Sequence, residues 1–227
     1  MAVSAVAGKA RAATAPGREA MAGLTGLIGC DARTGGERMT LDDYRRPAED
    51  VDMAAEERAI RRDTTIATIV TLAGFTAAFW LGPALADLPV EVADQLAFAA
   101  LCVAVPGVVL LVAIMMVSTT RRFSPEDIGG QAAGPPSDRL AIKAAFLQNT
   151  LEQTVLATGF YFALAAVAGG AWLALLPVAA GLFVVGRVLF YIGYRGGAQG
   201  RSLGMGLTMM PAALGYPLVA GLALFGG

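Results

Sequence analysis

Two charged side chains, Glu152 and Arg187, stand deep inside apolar stretches of this chain. A charge in lipid is costly and usually marks an ion pair or a functional group. Each has polar company. Asn149, Glu152, Gln153 and Leu156 fall at helical spacing, so the polar groups form a stripe. Arg187, Phe190, Tyr191 and Tyr194 follow the i, i+3, i+4, i+7 pattern of a single helix face. That face runs on to Arg195 and, across a short glycine-rich loop, to Arg201. A polar, aromatic and cationic surface of this kind could hold an amphipathic anion against a bilayer. The plainer reading of Asn149, Glu152 and Arg187 is glue between helices, where each intramembrane hydrogen bond is worth about 0.6 kcal/mol. For Tyr191 and Tyr194 it is an interfacial aromatic belt, and for Arg195 and Arg201 topology determination. There is no histidine. That excludes imidazole bases, Ser-His nucleophile pairs, and His-ligated haem or metal. No metal site is expected.

The elements that must carry these residues are membrane helices. The chain of 227 residues is 56% hydrophobic and 15% charged, too apolar for a soluble domain of this length. Apolar stretches long enough to cross a bilayer core recur from residue 64 onward. Five spans are read, at about Thr64–Ala86, Leu96–Val117, Leu140–Ala168, Ala171–Tyr194 and Leu203–Phe225. Pro106 and Gly107 inside the second are tolerated as a kink. No alternating strands of barrel type are seen. The expected fold class is therefore all-α and integral to the membrane. Residues 1–52 read as a polar, disordered tail, 53–95 as a juxtamembrane helix with an additional span, and 96–227 as the main membrane domain. A true start at Met39 or Met53 is also conceivable. The loop Phe123–Ser137, rich in Gly and Pro, reads as a mobile connection. Cys30 and Cys102 are too differently placed to pair, and Cys102 reads as a small buried hydrophobe.

Charge fixes the expected orientation. All of the seventeen Lys and Arg residues except Arg187 fall on one side of the membrane, in the tail, in the loops at 118–139 and 195–202, or at the third span's start. The opposite connection holds Asp87, Glu91 and Asp94. The positive-inside rule then puts the N-terminus in the cytoplasm and the C-terminus in the periplasm. On this count Glu152 lies about 9 Å deep and Arg187 about 12 Å deep, both in the cytoplasmic half. Only Gly169 and Gly170 separate spans three and four, which predicts a tight antiparallel hairpin. An ion pair between Glu152 and Arg187, within one subunit or across a boundary, is the geometric expectation. The net charge of -1 predicts no nucleic-acid partner.

The stretch Phe146-Leu-Gln-Asn149-Thr-Leu-Glu152-Gln153 resembles the second-helix Asn-x-x-Glu motif of the MAPEG family, the membrane-associated proteins in eicosanoid and glutathione metabolism. Gly186-Arg187-Val-Leu-Phe190-Tyr191-Ile-Gly193-Tyr194 is similar to its third-helix motif. The wording around Asn149 is especially like bacterial members, and the resemblance covers about Leu96–Phe225. It implies a four-helix bundle, assembled as a homotrimer among membrane lipids in the bacterial inner membrane; the first span lies outside it and is expected as one additional N-terminal transmembrane helix. It implies glutathione as cofactor, held between subunits by Asn149, Glu152, Arg187, Tyr191 and Arg195. A lipophilic small molecule would arrive from the bilayer. Arg201 and Tyr194 would be the catalytic pair, the cation stabilising a thiolate whose pKa is otherwise about 8.5. Against the family pattern, Ala145 replaces an arginine found in many glutathione users, Phe190 replaces a tyrosine, and Gln153 stands where the leukotriene-forming synthase has a tyrosine. The resemblance implies a glutathione transferase or peroxidase acting on lipophilic electrophiles. The alternative is a non-catalytic lipid-binding or accessory subunit of a larger membrane complex. A small transporter ranks last, since no inverted repeat or broken-helix pair is seen.

Overall fold

The computed structural model describes residues 52–225 apart from Gln131 and Ala133, and leaves aside the Arg195 side chain. The expectations for the tail, Cys30 and Met39 fall outside the described residues. Five helices make up the rest, all long and apolar enough to cross a membrane. They are α1 (Met53–Leu85), α2 (Val92–Arg122), α3 (Asp138–Val167), α4 (Leu175–Ile192) and α5 (Gly197–Phe225). Short 3-10 turns, Gly170–Ala174 and Gly193–Gly196, flank α4. No strand occurs among the described residues.

The juxtamembrane helix expected from Met53 and the first span are one continuous helix. No breaker lies between Met53 and Thr64, and the Asp52 carboxylate caps the start by accepting from the Ala54 and Ala55 N–H groups at 3.0 Å. At 33 residues α1 is about 50 Å long, well over the ~30 Å of a hydrocarbon core. Its first turns therefore project beyond the core.

Contacts along the helices show that α1, α3 and α5 run one way and α2 and α4 the other. Asp63 meets Ser202 on α5, while Gly82 meets Ala174 at the opposite end. The Tyr216 hydroxyl on α5 donates to the Leu156 carbonyl of α3 at 2.9 Å. The first end, where Arg58, Arg61, Arg62 and Arg122 are exposed, is the basic end. The other carries exposed Asp87, Glu91 and Asp94 and is the acidic end.

The connection between α3 and α4 corrects the expected hairpin. Gly170 takes a positive φ of 59°, which a glycine adopts without strain. A 3-10 turn then precedes α4. The two helices are antiparallel, but α3 packs its backbone mainly on α2, and α4 on α5. Between them lie large side chains, Phe160, Tyr161, Leu164 and Phe183, all essentially fully buried in one apolar cluster. α3 also packs on α5, and α4 on α2, so α3 and α4 stand across the bundle from each other with these side chains in its core. By contrast α4 and α5 touch through glycines. A Cβ on Gly193 would collide with the Gly200 carbonyl, and one on Gly204 with the Phe190 N–H. That close approach brings Arg187 within reach of Met205 and Thr208 on α5.

The loop read as a mobile connection is closed on itself. Asp127 is buried and accepts from the Ser137 N–H at 2.8 Å and the Ser137 hydroxyl at 2.6 Å. Ser137 is in turn the N-cap of α3. The Asp127 carboxyl is held below the ordinary carboxylate range, first by the Ser137 N–H and then by the Ser137 hydroxyl.

Candidate functional site

Arg187 is the largest side chain in the fully buried set, with 1% of its surface exposed. Its Nε donates to Thr208 Oγ1 on α5 at 3.0 Å, and Nη1 donates to Asn149 Oδ1 on α3 at 2.6 Å. Nη2 lies 3.8 Å from Met205 Sδ. Thr208 can accept because its own proton goes to the Gly204 carbonyl, 2.8 Å away. The guanidinium carbon stands 4.6 Å from the centre of the Phe190 ring. One cation thus clasps three helices, using neutral acceptors and a ring.

Glu152 does not join it. The carboxylate is on the exposed surface of α3 and accepts from Gln148 Nε2 at 3.0 Å. The ion pair expected within a subunit is therefore absent. The reason is helical phase: neighbouring residues differ by about 100°. Gln153 turns inward and is buried, with an Oε1 atom that has no hydrogen-bond partner, while Glu152 turns out. The polar stripe read from sequence is split lengthwise, with Asn149 half-buried and Leu156 exposed on the outer side with Glu152.

The α4 face is split in the same way. Phe190 is buried, Tyr194 is half-buried and Tyr191 is exposed. A chain of rings runs out from Arg187. Phe190 lies 5.8 Å from Tyr194, edge to face, and the Arg201 guanidinium carbon stands 5.1 Å over the Tyr194 ring. Phe146 packs beside this chain, 6.1 Å from Phe190 and 5.0 Å from Tyr191. Two guanidinium groups therefore bracket two rings. The inner one is sealed and the outer one half-exposed at the basic end. Among the described residues no carboxylate pairs with Arg201.

The structure thus brings together Asn149 with Arg187, and Tyr194 with Arg201, linked through Phe190. It leaves Glu152 and Tyr191 on outer surfaces, and the Arg195 side chain lies outside the described residues. Thr208 and Met205 were not singled out by sequence, and Phe146 entered only as the first residue of the Asn149 motif. The Gly204 and Thr208 pair, one helical turn apart in an apolar span, was the available signal.

Five apolar helices around buried polar fastenings define an integral membrane protein of helical-bundle type. The MAPEG family model matches residues 98–220, which is more than half of the chain, so the chain belongs to the MAPEG family. The matched stretch starts in α2 and ends in α5, and α1 lies outside it. No curated protein and no solved structure matches the chain.

Proposed function

We propose that this MAPEG family protein is a glutathione-dependent transferase or peroxidase acting on lipophilic electrophiles. The observation that carries the reading is Arg201, a half-exposed guanidinium without a carboxylate partner among the described residues, set over Tyr194. A fixed cation of this kind favours the charged form of a nearby thiol and makes it nucleophilic. The donor set also suits glutathione in charge: Arg201 offers a cation to its carboxylates and Glu152 an anion to its ammonium. Tyr194 and Tyr191 offer rings on the side that meets lipid. Arg187 acts one step back, holding Asn149, Phe190 and Thr208 in place.

A homotrimer fits the same facts. A carboxylate about 9 Å inside the bilayer would cost several kcal/mol facing acyl chains. Glu152 and Gln148 are exposed in the single chain, so a second copy covering that face relieves the cost. The basic end is proposed to face the cytoplasm and the protein to reside in a bacterial inner membrane.

The second reading, a non-catalytic lipid-binding or accessory subunit, draws on one specific observation. Arg187, in the stretch similar to the family's third-helix motif, is sealed with 1% of its surface exposed, and each of its nitrogens is directed at its own chain. The deciding experiment is glutathione titration of detergent-solubilised protein by calorimetry, with thiolate absorbance and turnover of a chromogenic aryl halide. Binding at or below millimolar, a thiolate signal, and at least tenfold loss of turnover in Arg201→Ala with unchanged folding are expected. Binding weaker than millimolar, with no turnover, would transfer support to the accessory reading.

A further inference from the structure

The helix outside the family match, α1, reaches the start of α5. Asp63 on α1 is buried, with 5% of its surface exposed. The Ser202 hydroxyl donates to its Oδ2 atom. Its other oxygen, Oδ1, accepts from Arg62 Nε at 2.9 Å, so both sides of the carboxylate are held. One turn deeper the helices meet closely: a Cβ on Gly206 would come within 2.8 Å of Ala67 Cβ. Thr68 Oγ1 then lies 3.4 Å from Met210 Sδ. The contact is thus a continuous seam with a charged hydrogen bond at its basic end.

What the seam holds is a weak piece of helix. The first turns of α5 read Gly197-Ala-Gln-Gly200-Arg201-Ser202-Leu-Gly204. Glycines are the poorest ordinary helix formers after proline, and they add no side-chain packing. They are required by the close approach of Gly200 to Gly193, so the segment cannot stiffen itself by substitution. Ser202 has an internal alternative, the Gln199 carbonyl at 2.8 Å. A serine hydroxyl has one proton, and a carboxylate is the stronger acceptor. Without Asp63 the hydroxyl turns back on its own helix and the tie to α1 is lost.

Ser202 directly follows Arg201. We infer that Asp63 is a positioning residue, which through Ser202 fixes the first turn of α5 and so keeps the Arg201 guanidinium over the Tyr194 ring. This deepens the reading of Arg201 and Tyr194 as the thiol site and rests on it. It makes α1 part of the frame of that site.

The test uses the full chain in lipid nanodiscs, as wild type, Asp63→Ala, Asp63→Asn, Ser202→Ala and the Asp63→Ala/Ser202→Ala double variant. Hydrogen exchange at residues 198–204 and the ring-current shift of labelled Arg201 Nε–H report the position of Arg201 without glutathione. Asp63→Ala and Ser202→Ala should each speed exchange there about tenfold, the size of one charge-assisted hydrogen bond, with the double variant no faster than either. The ring-current shift should collapse in both. Asp63→Asn, which keeps an acceptor oxygen, should fall between and guards against a variant that fails to fold. With glutathione, the thiolate midpoint should move toward that of Arg201→Ala in the order Asn then Ala. Unchanged exchange or ring-current shift in Asp63→Ala overturns the tie. A changed shift with an unmoved thiolate midpoint overturns the positioning role. A wild type with no thiolate signal overturns the glutathione reading itself, and Asp63's part in that chemistry with it, whatever the exchange shows.

Discussion

At the basic end, α1, α3, α4 and α5 are tied by directional polar contacts, Arg187 to Asn149 and Thr208 and Ser202 to Asp63, set among close glycine approaches and a small ring cluster. Toward the acidic end the same helices meet through bulk, with Phe75, Phe160, Tyr161, Leu164 and Phe183 in one cluster. Phe75 and Phe160 stand 6.4 Å apart and Phe160 and Tyr161 5.7 Å apart. In lipid the hydrophobic effect does not drive helices together, so packing and hydrogen bonds must do it. Packing here supplies the strength. The hydrogen bonds, each modest, supply direction: an arginine fork accepts only certain angles. A site that must place a cation over a ring belongs where direction is set, and the bundle puts it there.

The largest effect should come from the apolar end. Phe160→Ala removes a fully buried ring and leaves a void beside Gly215, at a cost of about 3–5 kcal/mol. Unfolding in mixed micelles against rising denaturing detergent would measure it. A cost near zero would mean that the ring cluster is loosely packed and the comparison is wrong. Next comes Arg187→Lys, which keeps the charge but not the fork. It should cost about 1–2 kcal/mol by the same measurement. A loss as large as that of Phe160→Ala would make the clasp the main fastening instead of the guide.

The smallest effect sharpens the comparison outside the lipid. Asp127 closes the α2–α3 loop with its carboxyl held below the ordinary range. A carboxyl depressed in the folded state stabilises fully above its unfolded value and loses that contribution as pH falls through the lower folded one. Loop closure should therefore survive acidification to about pH 4 and open only below it. Limited proteolysis between residues 124 and 137 would follow this. In Asp127→Asn cleavage should be faster at neutral pH and nearly flat with pH. Opening of the wild-type loop well above pH 4 would contradict the depressed value.

Much of this was legible from residue types. Apolar length alone placed all five helices with their ends within about five residues, apart from the upstream extension of α1 and the first six residues of α5, Gly197 to Ser202, which were read as a glycine-rich loop and are helical. The motifs marked both Asn149 and Arg187, but the partner expected for Arg187 was Glu152, and the structure gives it Asn149 instead. What sequence could not resolve was phase. Glu152 and Gln153 differ by one step along a helix that is polar at both, and only the packed neighbours decide which turns inward. Adjacency in sequence was likewise misleading for α3 and α4, because each packs on α2 and α5 and the two glycines between them do not bring their backbones together. The tie from Asp63 to Ser202 spans 139 positions and carries no motif. The loop around Asp127 looked open because its turn residues are visible in sequence and its closing contact is not.

The sealed guanidinium of Arg187 has a consequence for biogenesis. α4 emerges from the ribosome before Thr208 does, so for a time the arginine enters the bilayer with at most one of its two hydrogen-bond acceptors. Insertion assays price such a residue at roughly 2.5–3.5 kcal/mol at mid-membrane. The apolar remainder of α4 can meet that cost, but the half-made clasp favours keeping α4 beside the insertion machinery until α5 follows. The last two helices should accordingly leave the translocon as a pair.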